Sequence, residues 1–345
     1  MNSHAQRRQN DFLALRWVYR FGWLRATELG TLMWPQNASR QVTGSRLAKS
    51  LIERQLVLER RLPEGTGRAL VLATAGVRLL TEHGISASSG KDIGREQAGY
   101  WTPSQTWRHD LVAHGVLAAL HQRGFEVYPE HQLRREAGRM AKVPDGLARK
   151  GGQVLWLEVE NARKTGPQMR ALAEALCVVA ATEATPLLGM RPNAPLVAYV
   201  ATATDERGHV LSHRERVTRA VQAAATRPVN LMWAACELRG VAGVGSMTME
   251  LETVMPERAL AILKRLNAFG WQTREDSVSW ASYGEVRAEV WNDDDHGWSC
   301  IVIDSRTGEQ ITPAMQADSI STAKLKAAAR IAELSAARDN AVSAR

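Results

Sequence analysis

Three carboxylates in the segment Val143–Asn161 have the spacing of a shared binding patch. The segment reads VPDGLARKGGQVLWLEVEN, and its two consecutive glycines predict a two-residue turn between two strands, because such turns need positive φ. Counting outward from that turn places Asp145 opposite Glu158, and Glu160 two residues further along points to the same face. Like charges this close repel one another, so the pattern predicts either a bound cation or a functional role.

The elements around this hairpin are those of an α/β domain that is predicted to span residues 104–240. Helices alternate with apolar strands, which indicates a mixed sheet covered on both faces. The predicted helices are Thr106–Arg123, Gly166–Ala184 and His213–Ala225, and the predicted strands outside the hairpin are Phe125–Leu133, Leu196–Thr202 and Val229–Cys236. The regular pattern lapses near Gly240–Met249.

Residues 1–84 have the element order of a winged helix-turn-helix domain. The predicted elements are helices over Asp11–Phe21, Thr27–Met33 and Ser39–Gln55, a hairpin with the turn PEGTG, and a helix over Ala75–His83. Apolar spacing assigns Val42, Leu47, Leu51 and Ile52 to the inner side of the third helix. In domains of this type the third helix enters the major groove of DNA.

Polar residues of the third helix and of the hairpin are the candidate DNA-binding residues. They are Arg40, Gln41, Thr43, Arg46 and Lys49 on the helix and Arg60, Arg61 and Arg68 on the hairpin. Residues 1–100 hold 15 Lys and Arg against 8 Asp and Glu, so most of the net charge of +8 lies there. This surplus favours double-stranded DNA as a partner. The alternative is a small helical domain with ordinary surface arginines.

Two further segments complete the predicted organisation. Residues 85–103 are rich in Gly and Ser without periodicity, which indicates a linker. Residues 250–345 form a small α-β-β-α unit, with helices over Glu257–Phe269 and Ser319–Ala337 and strands over Gly284–Trp291 and Trp298–Asp304. That order, with Lys324, Lys326 and Arg330 on the last helix, resembles a double-stranded-RNA-binding domain, although such a helix is also typical of a solvated packing helix.

Composition excludes several classes of protein. The 345 residues contain no apolar run long enough to span a bilayer, and the start MNSHAQRRQND lacks the apolar core of a signal peptide. The three cysteines, Cys177, Cys236 and Cys300, are far apart, so we expect reduced thiols and a cytoplasmic protein. The histidines have no zinc-ligand spacing, and no Walker-type phosphate loop is present.

The helix, strand and hairpin bearing PD and ExE resemble the PD-(D/E)xK nuclease core of restriction-endonuclease-like proteins. The resemblance implies that Asp145 and Glu158 would hold Mg²⁺, which activates water and stabilises charge on the scissile phosphate. Glu160 stands where that family usually has lysine, and Lys164 or Lys142 would supply a displaced ammonium. Such a site would be catalytic through Asp145, Glu158, Glu160 and Lys164.

Neutralisation of the carboxylates without a metal is the competing interpretation. Arg149, Arg163 or Lys164 would then form a surface charge cluster with them. His109 and Asp110, on the neighbouring helix, would orient the site or make an ordinary polar contact.

A second resemblance covers roughly residues 10–235. A winged helix, the W-x-H-D-L helix of Trp107 to Leu111, then VPDG and LEVE are similar to the replication-relaxation family of plasmids and mobile elements. It implies a DNA-binding protein for plasmid replication, conjugative transfer or its regulation, with a nuclease-like domain that often lacks a complete active site.

These observations lead to three hypotheses. The first is a DNA-binding protein of a bacterial mobile element, whose nuclease-like domain grips DNA or binds a protein partner or a second copy. The second is an active Mg²⁺-dependent DNA endonuclease. The third is an adaptor with an RNA- or protein-binding C-terminal domain, and RNA is the less favoured partner.

Overall fold

A computed structural model describes most of the chain. The described residues are 3–89, 94–97, 99–102, 104, 107–136, 142–161, 164–201, 213–238, 244–274, 276–293 and 297–343. The protein is mixed α/β, which confirms the predicted class. The first compact unit comprises Met1–Arg163, Val178–His213 and Leu231–Glu252, and the second comprises Lys164–Cys177, Arg214–Asn230 and Thr253–Arg345.

The first unit begins with the element order predicted for a winged helix. The elements are α1 (Ser3–Phe21), β1 (Leu24–Arg25), α2 (Ala26–Met33), α3 (Arg40–Glu53), β2 (Val57–Arg61), a 3₁₀ turn (Pro63–Gly65), β3 (Arg68–Leu72) and α4 (Thr74–Glu82). The three strands form an antiparallel sheet in the order β1-β3-β2. The α1 helix begins eight residues before its predicted start, because the polar residues ahead of Asp11 continue the helix.

Two glycines allow α2 and α3 to cross closely. A Cβ atom on Gly44 would lie 2.6 Å from the Cα of Gly30 and 2.5 Å from the carbonyl oxygen of Ala26. Real Cβ atoms do not approach backbone this closely, so Gly44 is required by packing. The buried side of α3 consequently runs through Gly44, Ala48 and Leu51, which are three or four residues apart.

This crossing overturns the predicted position of Val42, which is 53% exposed. Val42 lies two residues from Gly44, about 200° around the helix, so it points away from the core. Leu51 is fully buried, and Leu47 and Ile52 are partly buried against the core, as predicted.

The segment predicted as a linker contains secondary structure. The strands β4 (Arg95–Gln97) and β5 (Tyr100–Thr102) form an antiparallel hairpin. Trp101 is 4% exposed, and its ring meets that of Trp23 edge to face with 6.3 Å between centroids. The glycine and serine content of this segment predicts a linker, and its strands are so short that they give little sequence pattern. The apolar contacts of the hairpin come mainly from one buried side chain, Trp101.

A six-stranded sheet follows in the first unit. Its elements and neighbours are α5 (Trp107–Gln122), β6 (Glu126–Pro129), α6 (Glu130–Glu136), β7 (Gly146–Lys150), β8 (Gln153–Glu160), β9 (Ala194–Val200), β10 (Val229–Leu238) and β11 (Val244–Val254). The strand order is β11-β10-β9-β8-β7-β6, with β6, β7 and β8 antiparallel and β8, β9 and β10 parallel.

Two predictions in this region are wrong in part. The strand predicted to reach Leu133 ends at Pro129, where α6 begins and the i,i+4 pair of Glu130 and Arg134 supports a helical turn. The segment near Gly240–Met249 was predicted to lack pattern, whereas Val244 begins the strand β11. Residues 239–243 of that segment lie outside the described residues.

One apolar core joins the winged-helix elements to the sheet through α5. Leu15 and Val18 of α1, Val116 of α5, and Leu157 and Leu196 of the sheet belong to the same buried cluster. Burying each such side chain contributes about 1.5–3 kcal/mol. Residues 1–84 therefore share their core with the segment that carries the carboxylate hairpin.

The second unit contains the remaining elements. They are α7 (Gly166–Ala180), most of which belongs to this unit, α8 (His213–Ala224), α9 (Glu257–Phe269), β12 (Gln272–Thr273), β13 (Ser279–Tyr283), β14 (Val286–Asp293), β15 (Gly297–Asp304), β16 (Met315–Ala317) and α10 (Ile320–Ser343). The five strands pair antiparallel in chain order. The α-β-β-α prediction found β14 and β15 but missed three strands of two to five residues, which are too short to show periodicity.

Candidate functional site

The carboxylate hairpin has the predicted register. Lys150 pairs with Gln153 and Gly146 pairs with Leu157 across β7 and β8. Gly151 has φ of +57°, in the left-handed region that the turn requires. The predicted register is therefore confirmed from the turn to the pair of Gly146 and Leu157, which is one position before Asp145 and Glu158.

Asp145 leaves the ladder and caps it. Its backbone N–H donates to the carbonyl of Leu157 at 3.0 Å, and its Oδ2 accepts from the N–H of Val159 at 2.7 Å. The Asp145 carboxylate thus accepts a hydrogen bond from β8 at a position where β7 has not yet begun and offers no backbone partner. This structural task was not evident from side-chain periodicity.

Each carboxylate of the facing pair has its own cation. His109 Nε2 lies 2.9 Å from Asp145 Oδ1, and Lys142 Nζ lies 3.1 Å from Glu158 Oε1. The indole of Trp156 also donates to Glu158 Oε1 at 2.7 Å. The Glu158 side chain is only 6% exposed, so these donors replace the water that burial removes.

The charge of Asp145 raises the pKa of both His109 and Glu158. Burial lowers the pKa of His109, but the hydrogen bond and charge of Asp145, with Asp110 and Glu130 nearby, outweigh it and raise that pKa from 6.5 to about 9. Burial, followed by the charge of Asp145, raises the pKa of Glu158, against the opposing effects of Lys142 and Trp156. At neutral pH His109 is therefore a cation bound to Asp145.

Of the other predicted members of this site, Glu160 shares the face of Glu158, two residues along β8, whereas Arg149 has a different partner. Glu160 is 1% exposed and stands beside Tyr199 in the register with β9. Lys164 belongs to the second unit, where its carbonyl accepts from Arg216 Nη2 at 3.0 Å. Arg149, predicted to neutralise the carboxylates, binds Glu126 instead at 2.6 Å, because both are exposed at the opposite end of β7. Arg163 lies outside the described residues.

A divalent cation does not fit this arrangement. Asp145 and Glu158 are already bound by His109 and Lys142, and a metal would have to displace both cations. Across the residues the structure describes, no group of three or more His, Cys, Asp and Glu side chains is placed to hold a metal ion. The Mg²⁺ ligands expected from the nuclease resemblance are therefore present as residue types but engaged in ion pairs.

The second candidate site is the exposed side of α3, here called the α3 stripe. Its residues are exposed at spacings of three and four, and they are Gln41, Val42, Ser45, Arg46 and Lys49. Lys49 has a weak i,i+4 pair with Glu53 at 3.9 Å, and its side chain is 80% exposed. The stripe places two cations and two polar side chains around one exposed valine.

Two predicted DNA-binding residues of α3 lie off this stripe. Thr43 is partly buried, and its hydroxyl donates to the carbonyl of Ser39 at 3.1 Å. Arg40 is also partly buried, and its Nη1 donates to the carbonyl of Asn37 at 3.3 Å. Both residues serve the turn that begins α3.

The three hairpin arginines have partners within the first unit. Arg60 Nη1 lies 3.8 Å from Glu96 of β4, and Arg68 forms an ion pair with Glu59. Arg61 stacks on the ring of Tyr100 at 5.0 Å from its centroid. The β4–β5 hairpin, predicted as a linker, therefore supplies a carboxylate and an aromatic ring to the wing.

Comparison with known proteins gives no match for this chain, whether among family models, curated proteins or solved structures. Among the described helices, none is long and apolar enough to cross a membrane.

Proposed function

We propose that this protein binds double-stranded DNA, with α3 in the major groove. The observation that carries the proposal is the α3 stripe, which is exposed along a helix whose opposite side is buried through Gly44 and Leu51. A helix of this kind fits the major groove, and the charge surplus of residues 1–100 attracts the phosphate backbone.

The chemistry of the stripe suits base reading. Arginine donates bidentately to guanine, glutamine pairs with adenine, and an apolar side chain contacts the thymine methyl group. Arg46, Gln41 and Val42 supply these three groups on adjacent turns. Val42 makes no core contribution that would explain an apolar residue there, and a thymine contact gives its exposure a role.

The broader role rests on the resemblance noted in the sequence. We assign the protein to DNA transactions of a bacterial mobile element, in plasmid replication, conjugative transfer or its regulation, and to the cytoplasm. The helix α5, strand β6 and hairpin β7–β8 occur in the order on which the nuclease resemblance rests, with the unpredicted helix α6 between β6 and β7. Because its carboxylates hold His109 and Lys142, this domain acts in our proposal as a scaffold that grips DNA or a protein partner.

A binding titration of the full chain tests the proposal. Fluorescence anisotropy with a labelled random-sequence duplex of ~30 base pairs should show affinity that falls steeply as salt rises, because phosphate contacts release counterions. Arg46→Ala and Lys49→Ala should each weaken binding about 5- to 100-fold, the range expected for a lost base or phosphate contact.

The matched control is Arg219→Ala, which removes an equally exposed cation from α8 in the second unit. It should bind within about twofold of wild type, since an unrelated surface charge contributes little. Equal loss in all three variants, or unchanged affinity in both α3 variants, would remove α3 from the interface.

The endonuclease hypothesis has its own test. We expect no nicking of supercoiled plasmid by wild type in Mg²⁺ or Mn²⁺, because both carboxylates are held in ion pairs. Gel electrophoresis after incubation measures this, with Asp145→Asn run alongside. Metal-dependent nicking by wild type that the variant loses would make the protein an enzyme and overturn the scaffold role.

A further inference from the structure

A groove of about 650 Å³ lies in the first unit beside the first turn of α3. The α2–α3 segment forms one wall, α5 and β11 form the other, and Gly115, Ala118 and Ala119 line its α5 side. Small-molecule sites typically measure about 300–1,000 Å³. The groove therefore has the size of a ligand site, and the carboxylate hairpin has no part in it.

The lining of the groove favours an anion. Arg40 of α3 and Arg123, directly after α5, line it, and Arg123 Nη2 donates to the carbonyl of Met247 at 2.9 Å. Glu28 is the one carboxylate among the lining residues that the structure describes, and Arg25 Nε binds it at 3.0 Å. The remaining polar lining consists of hydroxyl and carboxamide groups, which are Thr27, Thr31, Gln36, Gln41, Gln122 and Ser246.

Arg40 has a donor that the protein does not use. Its Nε is buried, and no hydrogen-bond acceptor for it exists among the described residues. Buried guanidinium N–H groups are nearly always paired, because desolvation without a partner is unfavourable. An oxygen of a ligand in the groove would satisfy this donor once the Arg40 side chain turns to expose it.

We propose that the groove binds a phosphorylated small molecule between Arg40 and Arg123. A phosphate group presents several oxygens to two guanidinium groups and the surrounding hydroxyls, which a single carboxylate would satisfy less fully. No aromatic side chain lines the described part of the groove, so recognition rests on the phosphate and not on ring stacking. This binding does not require that the protein bind DNA.

The position of the groove links such a ligand to α3. Gln41 belongs both to the groove lining and to the α3 stripe. Gln36 Nε2 donates to the carbonyl of Gln122 at 3.1 Å and so fastens the α2–α3 turn to α5 beside the ligand. If the proposed DNA binding holds, a bound ligand will therefore change DNA affinity.

Calorimetric titration of the full chain with inorganic pyrophosphate tests the groove directly. Ala119→Glu places a carboxylate on the α5 side of the groove and pairs with Arg123 one turn later, so affinity should fall at least tenfold. Ala119→Gln is the matched control, because it adds nearly the same volume without charge, and it should retain affinity within about threefold. Circular dichroism establishes that both variants are folded.

The outcomes separate the sources of phosphate. The proposal is supported if Ala119→Glu abolishes pyrophosphate binding and Ala119→Gln preserves it, whether or not wild type binds DNA. Absence of binding at millimolar pyrophosphate overturns it, as does equal binding by the two variants. If pyrophosphate fails but DNA affinity drops in Ala119→Glu alone, the groove holds the phosphates of DNA and the small-molecule proposal is wrong.

Discussion

Asp145 illustrates how one side chain combines a structural and an electrostatic task. One carboxylate oxygen caps β8 through the N–H of Val159, and the other binds His109. Its neighbour Glu158 depends on Lys142 and Trp156 in the same way. Removing any one of these partners would leave a poorly solvated charge, which is why the cluster is stable only as a set.

His109 provides a prediction about pH at this scale. Its folded pKa of about 9 exceeds its ordinary value of 6.5, so its protonated form stabilises the fold. That contribution is fully present below pH 6.5 and is lost as pH rises through about 9. Its size is on the order of 3 kcal/mol.

An NMR titration of the His109 ring measures this directly. Wild type should titrate near pH 9, and Asp145→Asn should lower the pKa well below that value, because burial then acts without the opposing carboxylate. His131 is an internal control, since burial and Arg135 lower its pKa. A His109 titration near pH 6.5 in wild type would contradict the ion pair.

At the scale of elements, the crossing of α2 and α3 decides which side of α3 is exposed. Gly44 permits that crossing, and the stripe on the opposite side follows from helical geometry. Apolar spacing predicted the helix but assigned Val42 to the core. Gly44, at the contact between α2 and α3, has no apolar side chain that would mark the buried side in the sequence.

Gly44→Ala tests this crossing. The added methyl group would meet the backbone of Ala26 and Gly30, and neither can move without separating the helices. We expect a loss of about 1–3 kcal/mol in the free energy of unfolding, measured by urea denaturation. Ser45→Ala, at the next and exposed position of α3, should change it by less than about 0.5 kcal/mol. Equal stability of the two variants would show that the helices do not depend on the glycine.

At the scale of the molecule, the surplus of basic charge is concentrated in one part of the chain, whereas the apolar core is not. The basic surplus lies in residues 1–100, but the apolar core of those residues continues through α5 into the six-stranded sheet. An isolated fragment of residues 1–84 would expose the sides of Leu15 and Val18 that face this core. Binding experiments therefore need the full chain.

Local pattern was sufficient for the α/β class, for the helices other than α6, and for the hairpin register that places Asp145 beside Glu158, because periodicity and turn geometry act over a few residues. It did not reveal the hairpin at Arg95–Thr102, strand β11 or the exposure of Val42. Those features depend on residues distant in the chain, such as Trp23 against Trp101 and Gly30 against Gly44. The sequence offered His109, Lys142 and Arg149 among the possible partners of the carboxylates, and folding chose between them: His109 and Lys142 lie within hydrogen-bond distance, whereas Arg149 binds Glu126. Ion pairing depends on separation in space, and separation along the chain does not determine it.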